Sequence, residues 1–445
     1  MDWRIFQLKR KIILPTIGTL GDLYPFIALG LALRSRGFEP ILAVSQSHIE
    51  RTRAAGLEAH AIVPSFEEVA ARLGIGALEE AGKRMEDQHF IIREVVMRVL
   101  EHSTQALDAV AEDTAAIVGS IFALAGPIVA EKRAIPFVPA ILQPMALFSA
   151  VDPPMRQGMF TVASAHNGAL ARRWNRMIFA IVRFEMRRRY AGEINRVRGL
   201  HGLPKLRATP VLEPESDRLL RLGLYSPHFA PLCCDHPANV RLTGFPGFDA
   251  AGSAAAPQDA ALARFLASGP APLVFTLGSF AVYTPGDFYR ESVAVARALG
   301  RRAVLLTGTD KMESSDDIFV RNYTPHSQIF PHAAAIIHHG GIGTTGQALR
   351  AGKPQLVVPH MGDQRDNGAR IVRLGLGGAL DAAHYTAARA TRALAAVLGD
   401  ERHLLAAREF AAKMADETGA EAAADAVVEM LEKVSSGRAL TPPVA

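Results

Sequence analysis

Residues His338-His339-Gly340-Gly341-Ile342-Gly343-Thr344-Thr345 stand between a short apolar run, Ala334 to His338, and a stretch of helical periodicity opening near Thr344. Glycines at 340, 341 and 343 let the backbone approach a ligand closely, and the helix behind them presents unpaired N–H groups and the positive end of its dipole. Such a turn suits a phosphate. It is not a Walker loop, since no Gly-Lys-Ser/Thr follows, and its glycines lack the spacing of the dinucleotide GxGxxG. A plain strand-to-helix turn is the competing reading, against which the paired histidines and threonines weigh.

A second loop with chemical content is Thr16-Ile17-Gly18-Thr19-Leu20-Gly21-Asp22-Leu23-Tyr24-Pro25, between the apolar run Lys11 to Pro15 and a helix expected from about Phe26. A carboxylate here lies at the C-terminal edge of a parallel sheet, where doubly wound folds place ligands. It equally suits a helix cap, worth roughly 0.5 to 2 kcal/mol. An ordinary aspartate titrates well below neutrality, so a desolvated site would make Asp22 a better base.

The elements that must carry these loops are legible as alternating short apolar runs and helical stretches, the pattern of βαβ units around parallel sheets. Strands are expected at Lys11 to Pro15, Pro40 to Val44, Ala116 to Gly119 and Phe137 to Ala140. A second set covers Pro272 to Thr276, Ala303 to Thr307, Ala334 to His338 and Gln355 to Pro359. Between them Gly244 to Pro257 is rich in Ala, Gly and Pro and reads as a linker. The expected organisation is an N-terminal Rossmann-like domain over 1–243, the linker 244–257, a second such domain over 258–420, and a C-terminal helix and tail, 421–445, packing back on the first. The fold class is α/β, two doubly wound domains facing a cleft.

The 445 residues, 49% hydrophobic and 21% charged with 37 Gly and 27 Pro, fit a soluble protein of two or three domains. The cysteines, Cys233 and Cys234, are neighbours and cannot form an ordinary disulfide; no Cys/His spacing suggests a metal. The first ten residues are polar and basic, and the following apolar stretch is broken by Pro15, Gly18 and Gly21, unlike a signal peptide. No apolar run approaches the roughly 18 residues that span a bilayer. A cytoplasmic setting is the expectation. The net charge of +5 is compatible with anionic partners of several kinds.

Tyr323-Thr324-Pro325-His326, His339-Gly340-Gly341-Ile342-Gly343-Thr344-Thr345, Gly352-Lys353-Pro354, Pro359 and Asp363-Gln364-Arg365-Asp366-Asn367 together resemble the donor-binding signature of the family-one UDP-glycosyltransferases, whose fold is GT-B. The bacterial branch is the more similar, with antibiotic and sterol glycosyltransferases and, through Gly340 to Gly343 and Leu242-Thr243-Gly244-Phe245-Pro246, the rhamnosyltransferase of rhamnolipid synthesis. The likeness is strongest after residue 240 and weakest over Ser65 to Val110 and Val151 to Pro204.

That resemblance implies a division of labour. His339 would bond the donor diphosphate, with Gly341, Gly343, Thr344 and Thr345 supplying backbone and hydroxyl donors, and Gly278 and Ser279 facing it from a second turn. Asp363 and Gln364 would hold sugar hydroxyls. Tyr323 would lie against the base, although a core aromatic is an equal reading, and Thr324 would offer its backbone to the base edge. Gln347 replaces the glutamate by which plant members bind the ribose, which leaves UDP and dTDP donors both open. Asp22 would be the general base of an inverting transfer, in the Gly-Asp-x-x-Pro context of the bacterial members; Ser120 stands where histidine-base relatives carry a helper aspartate. His338 is read as structural.

Pro144, Met145, Phe148, Pro153, Pro154, Met155 and Met159 form an apolar stretch in which Phe148, Met155 and Met159 are candidates to line a hydrophobic acceptor pocket, with core or lid packing as the other reading. The basic segment Ala171 to Arg198 carries nine arginines against Glu185 and Glu193, and suits either a solvated face or peripheral contact with anionic lipid. The expected partners are therefore a nucleotide-sugar co-substrate and a hydrophobic hydroxylated acceptor, with no cofactor, metal or nucleic acid. Two alternatives remain: a nucleotide-sugar epimerase of the same architecture, and a non-catalytic auxiliary subunit.

Overall fold

Runs of Ile, Leu, Val and Ala bounded by Gly or Pro become the centres of two parallel sheets in a computed structural model that describes residues 10–74, 76, 90–155, 158–207, 220–248, 259–278, 281–308 and 312–436. Strands buried on both faces need no polar alternation, and Ile12, Ile13, Leu14, Leu273, Val274 and Phe275 are fully enclosed.

The first sheet holds β1 (Lys11–Pro15), β2 (Glu39–Ser45), β3 (Glu58–Val63), β4 (Thr114–Ser120), β5 (Phe137–Ile141), β6 (Arg221–Gly223) and β7 (Val240–Leu242), in the order β3-β2-β1-β4-β5-β6-β7. The second holds β8 (Leu273–Thr276), β9 (Ala303–Leu306), β10 (Ile318–Arg321), β11 (Ala335–His338), β12 (Gln355–Val357) and β13 (Gly377–Ala379), in the order β10-β9-β8-β11-β12-β13. The eight expected strands all fall on strands of these sheets. Each sheet reverses its strand order once, between β1 and β4 and between β8 and β11. Doubly wound folds bind ligands at the carboxyl ends of strands at such a switch.

The described residues divide into two compact units, one from 10–76, 90–247 and 417–436, the other from 248–416. The first unit therefore regains the chain at Glu417, whose side chain accepts a hydrogen bond from Ser226. Helix Ala420–Ser435 then packs on helix Leu20–Ser35, with Arg36 paired to Asp425 at 2.6 Å and Arg241 to Glu429 at 2.9 Å. These exposed pairs contribute little by themselves; the buried Ala423, Val427 and Met430 hold the helix down. Most of the expected linker, 249–257, lies outside the described residues.

The first helix differs from the sequence expectation at its start. The first helix begins at Leu20 and not near Phe26, because Thr19 and Asp22 form a reciprocal capping box that secures a turn ahead of Pro25. The long helix Ala169–Leu200 is anchored at its end by Arg198, buried to 1% exposure, which makes two bonds of 2.7 and 2.8 Å to Glu131 and a third to the Pro204 carbonyl.

Candidate functional site

β8 and β11 are paired with Thr276 opposite His338, so the turns that leave them lie side by side. His338 is fully buried. Its Nδ1 must accept the Gly340 N–H, 3.1 Å away, so the proton sits on Nε2 and is donated to Gln355 Oε1 at 2.9 Å. Burial lowers its pKa to about 4. Both nitrogens serve the fold, and His338 shapes the turn.

The His339 ring stands nearly perpendicular to it, at 82°. It lies against two glycines: a Cβ on Gly278 would come 2.3 Å from His339 Cε1, and one on Gly341 would come 2.4 Å from Nε2. Gly278 also has φ +70°, so the position is closed to larger residues on two counts. His339 Nδ1 is buried without a hydrogen-bond partner among the described residues. Burial, reinforced by the charges of His338, His360 and His326, keeps the imidazole well below its usual pKa. A neutral ring with an unmet buried nitrogen, a state that costs roughly 1 to 3 kcal/mol, fits a group completed by a ligand.

Helix Ile342–Arg350 starts directly after Gly341, two residues before the expected Thr344, a start that Gly343, with no side chain to add to the periodicity, kept hidden. Its first turn offers the free N–H groups of Ile342, Gly343 and Thr344. Thr345 corrects an expectation. Its N–H and its hydroxyl both bond the Gly341 carbonyl, at 2.9 and 3.0 Å, so it closes the helix and has no donor left for an anion. The Thr344 hydroxyl bonds no described residue.

The loop after β12 is built by Gln364, whose Oε1 accepts the His360 and Met361 amides at 2.7 and 2.9 Å. Only its NH2 is left to meet a ligand. Asp363 leads helix Gln364–Arg373 and accepts the Asn367 amide at 2.7 Å; the same amide group reaches the Gly340 carbonyl at 2.9 Å. Asn367 thus ties the glycine-rich turn after β11 to the carboxylate. The sequence placed Asn367 in the motif without a role, although its spacing of four from Asp363 on a helix was a usable signal. Tyr323 is half exposed and Thr324 buried, both beyond β10 on the same carboxyl edge, before His326, whose ring stacks on Phe330 at 4.3 Å. Gln347 is partly buried in the helix behind the turn. Ser279 lies outside the described residues.

In the other unit Asp22 occupies the corresponding switch, beyond β1 and beside β4. Its Oδ2 accepts the Thr19 amide at 2.8 Å and the Thr19 hydroxyl at 3.3 Å, so the cap uses one carboxylate oxygen. A Cβ on Gly18 would meet that same Oδ2 at 2.2 Å. Burial raises the Asp22 pKa, opposed by the Thr19 bonds, by the charge of His48 and by a bond from Gln143. His48 is itself held 2.9 Å from the Gly18 carbonyl. Capping and proton acceptance are compatible here. The sequence hid Gln143 and His48, which reach Asp22 only through the sheet order; Thr19 was readable as the start of a Thr-x-x-Asp capping box.

A small apolar pocket of only about 10 Å³, too small for more than a water, is lined in the same unit by Ile17, Val63, Val96, Leu100, Phe122 and Leu124. Of the acceptor candidates, Phe148 is packed against Phe179 and Phe160 at 5.0 and 5.3 Å, Met159 is exposed, and Met155 is partly buried. The Phe148 ring therefore serves packing against the long helix. Residues 75 and 77–89, within the first stretch of weakest likeness, lie outside the described residues. Cys233, Asp235 and His236 bring ligating atoms within 4.8 Å of one another. His236 Nδ1 accepts the Cys233 amide, and Asp235 accepts from Ser149 and the Ala150 amide, which makes the group a loop clasp.

Two parallel sheets, each with a glycine-punctuated turn at its switch point, define the class of GT-B folds. Residues 12–147 match the glycosyltransferase family 28 N-terminal domain, and 307–434 match the erythromycin biosynthesis protein CIII-like C-terminal domain. The chain is 29% identical over 376 residues to an O-mycaminosyltylonolide 6-deoxyallosyltransferase from Streptomyces fradiae, covering 82% of this chain and 84% of that one. It is 29% identical to a vancomycin aglycone glucosyltransferase from Amycolatopsis orientalis, over 88% of this chain and 91% of the relative. Among solved structures, a glycosyltransferase of kitacinnamycin superposes with a TM-score of 0.70 at 18% identity, over 95% of this chain and 99% of that one. The spinosyn rhamnosyltransferase SpnG complexed with thymidine diphosphate gives 0.63 at 19%, over 94% and 100%. The two family models, these relatives and the structural neighbours together support a family-one glycosyltransferase.

Proposed function

We propose that the chain moves a sugar from a UDP- or dTDP-sugar to a hydroxyl of a hydrophobic acceptor, with inversion at the anomeric carbon. The observation that supports it most is His339, neutral and held between Gly278 and Gly341 at the head of a helix whose first N–H groups are free. The diphosphate would take those donors, and Asp363 with the Gln364 NH2 would hold sugar hydroxyls. Asp22 accepts the acceptor's proton as its oxygen bonds the anomeric carbon; the bond to the diphosphate breaks with its electron pair, and the helix dipole stabilises the charge that leaves.

No metal is needed in this reading, since the same donors neutralise the diphosphate, and activity should survive a chelator. Two of the relatives above are named for antibiotic acceptors, and further, longer relatives for sterols, which supports an apolar acceptor here. A panel of UDP- and dTDP-sugars, read by thermal shift and by acceptor-free hydrolysis, tests the proposal. Absence of binding to every donor at millimolar concentration would end it.

A further inference from the structure

The described residues place their exposed large apolar side chains unevenly. Leu170, Trp174, Met177, Ile181 and Phe184 follow one another at spacings of four, three, four and three along helix Ala169–Leu200, so they form one line on its surface. Leu170 is 82% and Phe184 62% exposed. Met159 and Val162, also exposed, lie on the turn before the helix, and Trp174 Nε1 bonds the Val162 carbonyl at 2.7 Å, which joins that turn to the line. A different face of the helix, with Ile178, Phe179, Val182, Tyr190 and Ile194, is buried in the first unit. The apolar line is therefore surplus to folding. Contiguous exposed apolar surface of this kind marks an interaction site.

The charges beside the line indicate what covers it. Arg173 and Arg187 fall between the buried face and the apolar line when the helix is projected at 100° per residue, and the exposed Arg176 stands at the edge of the buried face. Arg173 and Arg176 have no carboxylate partner among the described residues. Glu185 is already shared by Arg188 and Arg189, at 2.7 and 2.6 Å. A second copy seated on this line would bring like charges together, whereas anionic lipid headgroups beside an acyl boundary complement both stripes at once. Trp174, half exposed with its N–H satisfied, suits the headgroup level. We propose that helix Ala169–Leu200 lies flat on an anionic membrane surface, with Leu170, Trp174, Ile181 and Phe184 inserted and the neighbouring arginines on headgroup phosphates.

The test is co-sedimentation of the full chain with vesicles of phosphatidylcholine alone or mixed with phosphatidylglycerol. Binding is expected to the mixed vesicles, to weaken at high salt, and to shift Trp174 emission to shorter wavelength in a Trp3→Phe background. An Ile181→Ser/Phe184→Ser variant should lose at least ten-fold in binding, and Arg173→Gln/Arg176→Gln should lose the preference for anionic lipid. Unchanged melting and donor binding of these variants without vesicles would show that the fold is intact. That readout also separates this proposal from the glycosyl-transfer reading, because donor binding is scored without lipid. Equal binding by the apolar double variant, or no binding by the parent chain, overturns it. So does a concentration-dependent dimer that the same double variant dissolves, which would assign the line to a second copy.

Discussion

The His339 ring occupies the space that a side chain at Gly278 would need, with only 2.3 Å between His339 Cε1 and an added Cβ. Gly278→Ala must therefore displace the imidazole and also adopt φ +70°, at a cost of roughly 1 to 2 kcal/mol. Donor affinity should fall at least ten-fold by calorimetry while the fold persists. Gly286→Ala is the control: it has φ +53° but open space around it, so it should share the strain and keep the affinity. Equal losses in both variants would show that strain, and not the ring, governs the effect.

Asn367 is the second point of leverage, because one amide spans the Gly340 carbonyl and Asp363. Asn367→Ala leaves that carbonyl buried without its partner, an expected cost of about 1 to 3 kcal/mol. Asn367→Asp is nearly isosteric yet sets a carboxylate against two acceptors, and should be worse for both stability and donor KM. If the aspartate variant bound donor as well as the parent, the tie would be irrelevant to the site.

Why the sequence revealed the residues around His339 better than those around Asp22 follows from how each group is built. His339, Gly341, Gly343, Asp363 and Gln364 are local: glycines at a strand end and a helix start announce themselves by type and spacing. The strands were legible where bulky apolar residues fill both faces of a parallel strand, and Arg221–Gly223 and Gly377–Ala379 escaped because their three residues hold an arginine or glycines in place of such a run. Gln143 and His48 meet Asp22 only because β5 and β2 flank the β4-β1 pair, a fact of topology with no short-range mark. The committed hydroxyl of Thr345 was equally invisible, since a threonine at a helix start looks the same whether it faces a ligand or its own carbonyl.

Asp22→Asn preserves an oxygen for the Thr19 amide and removes the base. The expected result is a fall in kcat of about 100-fold or more, with donor affinity and melting temperature nearly unchanged. The pH dependence carries a sign. Because burial raises the Asp22 pKa, the carboxylate protonates sooner on acidification, and the acidic limb of kcat/KM should lie above the usual aspartate value of about 4. His48 lowers that pKa, so His48→Gln should move the limb to still higher pH. Full activity in Asp22→Asn would remove Asp22 from the chemistry.

His338 makes a prediction about stability alone. Its pKa is about 4 in the fold, against about 6.5 in an unfolded chain, because it is buried and its Nδ1 is occupied by the Gly340 amide. Between those values the unfolded chain binds the proton and the folded chain does not. Stability must therefore rise with pH from about 4 to about 6.5 and level off above, with a slope from this residue approaching 1.4 kcal/mol per pH unit within the window. His360, also lowered to about 4 by burial, adds a second contribution of the same sign. Urea midpoints measured across this range should show the slope, and His338→Asn should reduce it by one proton while lowering overall stability through the lost bond to Gln355. A slope that His338→Asn left intact would mean that the proton enters elsewhere, and that the turn beneath His339 tolerates a charge its geometry gives no place to.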